Sequence, residues 1–168
     1  MAEPSPIEMS VSAEGIQALG RALAAEADGK ALRKELAKNM RTALGPAADM
    51  AKSNIMAMRS VHGAGGGPGL RAAIAKKVRP EIKLGGRWTG ARVKAKRTPN
   101  VRGFPNAPKR TQKVGGWRTK SWDGTWRVQV GKFDWFDRAM VGRNEVYRQA
   151  VLDAMEAMAR RIADRASE

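Results

Sequence analysis

Residues 30–61 read KALRKELAKNMRTALGPAADMAKSNIMAMRSV and contain the longest helical pattern of the chain. Apolar residues recur every three or four positions from Leu32 to Met58, as expected for the buried face of a helix. Pro46 interrupts the pattern, because proline lacks a backbone N–H and clashes with the preceding helical turn. The stretch therefore predicts a long helix that is either kinked or broken at Pro46.

Shorter patterns flank this helix on both sides. A further helix is expected between a capping serine, Ser10 or Ser12, and the glycine stop at Gly29. Residues 1–9 are predicted to form a flexible N-terminal extension. The segment 142–166 has the spacing of an amphipathic C-terminal helix, and 125–130 alternate as in a β-strand.

The part of the chain between these patterns, residues 70–141, is predicted to be basic and β-rich. It begins with a short helix, continues into a hairpin around Gly85 and Gly86, and contains a long basic loop over 86–120. We therefore predict an α+β fold in one domain over 10–168. Long N-terminal helices, over 10–62, and the C-terminal helix would pack on a small antiparallel sheet.

A glycine-rich stretch over 63–69 separates the helical part from the basic part. It does not fit a phosphate-binding loop, because Leu70 and Arg71 stand where that motif needs Lys and Ser or Thr. We interpret it as a hinge, and its glycines are Gly63, Gly65, Gly66, Gly67 and Gly69.

The charge of the chain is concentrated in its middle. The 168 residues include 32 Lys and Arg against 16 Asp and Glu, a formal net charge of +16. Residues 71–120 hold 16 of the basic residues and a single acid, Glu81, whereas the two flanking segments are almost neutral. Because this charge has no internal compensation, we expect an anionic partner, either a nucleic-acid backbone or an acidic neighbouring protein.

Composition argues against most catalytic chemistry. The chain has no Cys and one His, His62, which leaves no zinc finger, disulfide framework or cysteine nucleophile. Asp123, Asp134 and Asp137 lie close in sequence, but turn and capping roles suit them better than a metal-dependent nuclease site. No apolar run reaches the length of a membrane span. We expect no enzyme activity, cofactor, metal, small-molecule substrate or membrane contact.

The candidate contact residues form two sets. The basic set is expected to bind polyanions or neighbouring proteins and contains Arg87, Arg92, Lys94, Lys96, Arg97, Arg102, Lys109, Arg110, Lys113, Arg118 and Lys120. The aromatic set could stack on nucleobases, but packing and interface anchoring fit it better; it contains Trp117, Trp122, Trp126, Trp135 and Phe136.

The order of these features resembles the neck, or tail-completion, family of long-tailed bacteriophages, the minor tail components of the lambda Z type. The shared pattern is a long N-terminal helical region, a glycine-bearing loop leading into Gly67–Arg71 (GPGLR), a β-meander, and the aromatic pair of Trp135–Ala139 (WFDRA) before a terminal helix.

The resemblance implies a non-enzymatic structural protein of the virion, assembled in the host cytoplasm. Its subunits would form a hexameric ring between the head connector and the tail tube. The partners would be other copies of the chain, the connector or stopper, and the tail-terminator or tail-tube proteins, with nonspecific contact to DNA. A second hypothesis is a nonspecific nucleic-acid-binding protein of the ribosome or nucleoid that uses residues 71–120.

Overall fold

The computed structural model describes residues 8–11, 13–59, 69–99, 101, 104–120 and 123–166. The fold is α+β, as predicted, with seven helices and five strands in the described residues. In chain order, the elements are β1 Glu8–Val11, α1 Ala13–Ala25, α2 Gly29–Ala43, α3 Gly45–Met56, α4 Gly69–Ala75, β2 Val78–Lys83, β3 Gly90–Ala95, α5 Ala107–Gln112, β4 Trp117–Lys120, β5 Trp126–Gln129, α6 Asp137–Met140 and α7 Asn144–Ala166.

The long helical stretch is broken rather than kinked. α2 ends at Ala43 and α3 starts at Gly45, so the two helices meet at Leu44. The N–H of Leu44 still donates to the carbonyl of Met40 at 3.1 Å. Pro46 then stands in the first turn of α3, where its missing N–H costs no hydrogen bond. The predicted interruption of the long helix is therefore confirmed, and of the two alternatives left open by the sequence the structure shows the break.

Two strand groups are present among the described residues. One sheet has the order β1-β3-β2, and the other contains β4 and β5. β4 and β5 are antiparallel, with Arg118 opposite Val128 and Lys120 opposite Trp126. The strand predicted over 125–130 is confirmed as β5.

The hairpin predicted around Gly85 and Gly86 is present as the neighbouring strands β2 and β3. Its connection is longer than the two-residue turn that the glycine pair suggested, because residues 84–89 all lie between the strands. Gly86 has a φ of +97°, a backbone conformation that favours glycine.

The prediction of a long loop over 86–120 is wrong for much of that segment, which contains all of β3, α5 and β4. β1 also begins at Glu8, so its first two residues fall within the flexible extension predicted for 1–9. These elements have only four to six residues each, too few for their periodicity to stand out among charged residues.

The chain divides into two compact units. Unit 1 contains residues 1–8, 48–79 and 94–141, and unit 2 contains 9–47, 80–93 and 142–168.

The core of unit 2 is a helical cluster. α2 packs against α1 and α7, and its buried face includes Leu32, Leu36 and Met40. α7 contributes Tyr147 and Val151, which are also buried. The C-terminal helix therefore packs mainly on neighbouring helices, with ion pairs from Arg161 to Glu35 and from Arg165 to Asp28.

The core of unit 1 is built around Trp135 and Phe136, whose rings meet edge to face at a centroid distance of 5.7 Å. The carbonyl of Trp135 accepts a hydrogen bond of 2.9 Å from Asn54 Nδ2, which ties the aromatic pair to α3. α4 packs against α5, and its Ile74 is fully buried. Within the described residues, no helix is both long and apolar enough to cross a membrane.

Candidate polyanion and neighbour-contact surface

The positive charge of the chain belongs mainly to unit 1. Its residues include 18 Lys and Arg against 6 Asp and Glu, a net charge of +12. Unit 2 has 14 basic and 10 acidic residues, a net charge of +4. The excess of cations that the sequence places in residues 71–120 is therefore gathered largely in one folded unit.

Strand alternation places lysines on one side of β3. Ala91, Val93 and Ala95 are buried, whereas Lys94 and Lys96 between and beyond them remain half-exposed. This pattern follows from the period of two residues in a β-strand. The buried small residues thus fix the direction in which the lysines point.

These lysines border a shallow depression of about 370 Å³. Lys77, Arg97 and Pro99 complete its lining. The N–H of Lys96 donates to the carbonyl of Lys77 at 3.0 Å, which holds the two backbones together at this point. Four cationic side chains around one depression form a surface suited to an extended anion such as a phosphate backbone.

α5 and the residues around it add a second group of exposed cations to unit 1. Lys109, Arg110 and Lys113 are all exposed. Arg110 lies over the ring of Phe104 at 5.3 Å from its centroid, and Phe104 in turn stacks on Trp117 at 5.5 Å. The aromatic pair supports the arginine by a cation–π contact while its charge remains accessible.

The β4–β5 hairpin carries cations beside exposed apolar residues. Because residues opposite each other in an antiparallel pair share a face, Arg118 and Lys120 lie on the same face as Val128 and Trp126. All four side chains are exposed. We call this surface the hairpin face.

The turn of the hairpin is held by Asp123. Its carboxylate accepts a hydrogen bond of 3.0 Å from the N–H of Thr125 and an ion pair of 3.1 Å from Arg127. Hydrogen bonds from Thr125, through its side chain and its backbone, lower the pKa of Asp123, and the bond from Arg127 lowers it further. The carboxylate of Asp123 thus makes its contacts within the turn, where it pairs with Arg127.

Two predicted members of the basic set belong to unit 2. Arg92 is nearly enclosed: its guanidinium pairs with Glu81 at 2.7 Å and lies 3.8 Å from the centroid of the Trp88 ring. Arg87 is exposed in the β2–β3 connection. Arg92 is therefore less available to an external anion than the other members of the basic set, because its charge is paired with Glu81 inside unit 2.

The aromatic set also divides. Trp135 and Phe136 are core residues, Trp117 is half-buried, and Trp126 is 60% exposed. Only Trp126 among these four is available to anchor an external partner. Trp88, which the sequence reasoning did not select, has the clearest cation–π role, with Arg92 and Lys83 over its ring. The basic residues on both sides of Trp88 were the available signal.

Several predicted residues lie outside the part of the chain that the structure describes. They are Arg102, Trp122, His62 and the hinge glycines Gly63, Gly65, Gly66 and Gly67. Gly69, the remaining hinge glycine, is the first residue of α4.

The acidic residues considered for catalysis have local structural contacts or turn positions. Asp137 accepts a hydrogen bond of 2.9 Å from Gln112, and Asp134 has a positive φ of 54° at a turn. No group of three or more His, Cys, Asp and Glu residues that could hold a metal occurs among the described residues.

No family model, curated protein or solved structure matches the chain.

Proposed function

We propose that this protein is a structural subunit of the neck of a long-tailed bacteriophage. It would act in tail completion, as a homo-oligomeric ring between the head connector and the tail tube. The observation that carries the proposal is the folded, basic unit 1, whose net charge of +12 compares with +4 for unit 2. A subunit of a DNA-surrounding ring needs one cationic part and another part that packs against protein.

The arrangement of the cations favours contact with the nucleic-acid backbone over recognition of base sequence. They are distributed over β3, α5 and the β4–β5 hairpin, and none of these elements presents a helix of the length that enters the major groove in helix-turn-helix proteins. Lysines and arginines spread over a surface neutralise phosphates and release counterions whatever the sequence. Such contact suits a passage through which every segment of a genome must move.

A charge-reversal experiment in infected cells tests this proposal. A phage that lacks the gene is complemented with the triple variant Lys94→Glu, Lys96→Glu and Arg97→Glu. We expect filled heads and free tails to accumulate, and joined particles to fall about tenfold or more, because the depression loses its attraction for polyanions or acidic neighbours.

A matched triple variant controls for the change in net charge. Lys34, Lys38 and Arg41 are exposed on α2 in unit 2, and their reversal to Glu changes the charge by the same amount. This control should keep the yield of joined particles near wild type. Equal yields from both variants would contradict the proposed role of unit 1.

The second candidate is a nonspecific nucleic-acid-binding protein of the host cell, and the same cationic unit supports it. Purified protein is titrated with duplexes of unrelated sequence at several salt concentrations. A host-cell protein would bind all duplexes with a steep salt dependence, and its removal would leave particle assembly unchanged. A neck protein would instead be found by mass spectrometry in purified particles.

A further inference from the structure

Exposed large apolar side chains are concentrated in one segment of unit 1. Among the described residues, five of the eight such side chains lie between positions 114 and 133; they are Val114, Trp126, Val128, Val130 and Phe133. Clusters of exposed apolar residues of this kind mark surfaces that bind other proteins. The segment coincides with the β4–β5 hairpin and its flanks.

A row of apolar side chains runs along the hairpin face. Trp126, Val128 and Val130 recur at every second position and are 60%, 64% and 59% exposed. A two-stranded sheet that stands alone is only marginally stable in water, and burial of this row against a partner would stabilise it. Tryptophan and arginine are also among the residue types enriched at the energetic centres of protein interfaces.

Charge excludes a symmetric contact between two hairpin faces. Arg118 and Lys120 lie beside the apolar row, and the residues that share this face include no acid. Two copies of the face brought together would oppose cations to cations, which is unfavourable. The partner surface must therefore be a different one that combines acidic and apolar side chains.

The same chain carries such a surface on α7. Glu145, Gln149, Asp153 and Glu156 are exposed and follow a spacing of three to four residues, so they line one side of the helix. Arg160 continues this spacing and pairs with Glu156 at 3.2 Å, and Glu145 pairs with Arg148 at 3.6 Å, so a positively charged partner would exchange these exposed intrachain ion pairs for pairs across the contact. Val146, the exposed large apolar residue of unit 2 among those described, lies beside them. We call this surface the acidic face of α7.

We infer that the hairpin face of one copy binds the acidic face of α7 of a second copy. The contact would pair Arg118 and Lys120 with Asp153 and Glu156. Because it joins two different surfaces, it is heterologous, and repetition of it produces closed rings or open filaments rather than a symmetric dimer. The inference builds on the proposed ring by assigning the surfaces that join its subunits.

Two double variants, each defective in one face, test the contact in nuclease-treated protein. The hairpin variant is Arg118→Glu with Lys120→Glu, and the α7 variant is Asp153→Lys with Glu156→Lys. By mass photometry or native mass spectrometry, wild type should form oligomers, and each variant alone should remain monomeric, with its dissociation constant raised about tenfold or more. Mixed in equal amounts, they should form oligomers again with alternating subunits, because the two unaltered faces match each other and so do the two charge-reversed faces.

A chain with all four substitutions should oligomerise again, since both faces then have reversed and matching charges. Val128→Thr tests the apolar row with no change in charge. It should weaken association, whereas the same change at Val141, which is 71% exposed outside the hairpin, should not. Circular dichroism confirms that each variant is folded.

Three results would overturn the inference: wild type that stays monomeric at every concentration tested, variants that associate as wild type does, or an α7 variant that associates by itself. The assay uses no nucleic acid and no phage. If wild type is monomeric, the proposed contact between copies is contradicted, and the particle-joining experiment still tests the proposed function. If the particle-joining experiment fails, the contact measured between purified copies still stands.

Discussion

At the residue scale, the buried indole of Trp135 depends on a single hydroxyl. Its Nε1–H donates to Thr111 Oγ1 at 3.2 Å, and the same hydroxyl donates to the carbonyl of Ala107 at 2.8 Å. Thr111 is completely buried. The sequence indicated Trp135 as an anchor but gave no sign of Thr111, because a lone threonine near a basic segment has no periodic signature.

Replacement of this hydroxyl should cost stability. Thr111→Val keeps the shape of the side chain but leaves the buried indole N–H without an acceptor, and we expect the free energy of unfolding to fall by about 1–3 kcal/mol. Urea denaturation, with an unchanged dependence on denaturant, measures the difference.

Thr89 is the matched control. It is also buried, but its Oγ1 has no hydrogen-bond partner in the described structure. Thr89→Val should therefore leave the free energy of unfolding unchanged or raise it, since it removes an unsatisfied polar atom. Similar losses in the free energy of unfolding for Thr111→Val and Thr89→Val would show that the hydrogen bond from the Trp135 indole to Thr111 does not stabilise the fold.

The carboxylate of Asp123 should make the hairpin turn sensitive to acid. Its pKa in the folded chain is lowered by the hydrogen bonds from Thr125 and Arg127. The ionised carboxylate therefore stabilises the folded chain fully at pH values above the pKa that Asp123 has in the unfolded chain. This stabilisation is lost as the pH falls through the lower pKa that Asp123 has in the folded chain. By NMR, the Asp123 carboxyl should titrate below its ordinary range.

Asp123→Asn provides the comparison for this titration. At neutral pH it should increase hydrogen exchange of the β4–β5 amides, because the ionised acceptor at the turn is gone. At a pH low enough to protonate Asp123 in the wild type, the two proteins should exchange alike. A difference that persists unchanged at low pH would contradict the electrostatic account.

At the scale of elements, α1 approaches the β2–β3 connection through a glycine. A Cβ on Gly20 would lie 2.6 Å from the carbonyl oxygen of Leu84, and that oxygen is also fixed by a hydrogen bond of 3.1 Å from Arg33. The Leu84 backbone cannot move away from α1 without straining this bond. Only the absence of a side chain lets the helix and the loop come this close.

Gly20→Ala should therefore destabilise unit 2, although alanine is the better helix former. We expect a cost of about 1–3 kcal/mol from the clash, which exceeds the gain of about 0.5–1 kcal/mol from helix propensity. In thermal unfolding, Gly45→Ala is the control, because a Cβ there has open space around it. A melting temperature raised by both substitutions would exclude the close approach.

The elements differ in how far the sequence could predict them. The interruption of the long helix near Pro46 was predictable because a single proline is enough to disrupt a helix. α7 was predictable because its apolar pattern extends over six turns. β4 was not, since its four residues, WRTK, become recognisable as a strand only beside β5. Short elements of this kind are selected by their neighbours in space rather than by their own composition.

At the scale of the whole molecule, the division of charge between the units was only partly visible in the sequence. The cationic middle of the chain was evident from counting. The internal pairing of Arg92 was not evident from the sequence, because β2, β3 and their connection have to bring Glu81 and Trp88 beside it. The concentration of basic residues in the sequence thus indicated a surface for polyanions. Which of these residues are accessible on that surface depends on the folded structure.

The excess charge of unit 1 should make the melting temperature depend on anions. Polyphosphate should raise it at concentrations too low to change ionic strength, because a ligand that binds the folded state stabilises it. Sodium chloride should suppress this effect by screening. Differential scanning fluorimetry measures both.

The two triple charge-reversal variants complete this experiment. The variant at Lys94, Lys96 and Arg97 should lose most of the response to polyphosphate, whereas the variant at Lys34, Lys38 and Arg41 should keep it. An equal rise in melting temperature for both variants would indicate that the binding of polyphosphate depends on net charge alone and has no preferred surface.

The interleaving of the two units along the chain has a consequence for synthesis on the ribosome. The chain passes from one unit to the other five times, and α7, which packs on α2, follows all the other described elements in chain order. Unit 2 cannot close until α7 has been synthesised, so the face of α2 that contains Leu32, Leu36 and Met40 lacks one of its two packing helices in the nascent polypeptide until then. A premature stop codon before α7 should therefore yield a product that chaperones retain or proteases remove, rather than a smaller folded protein.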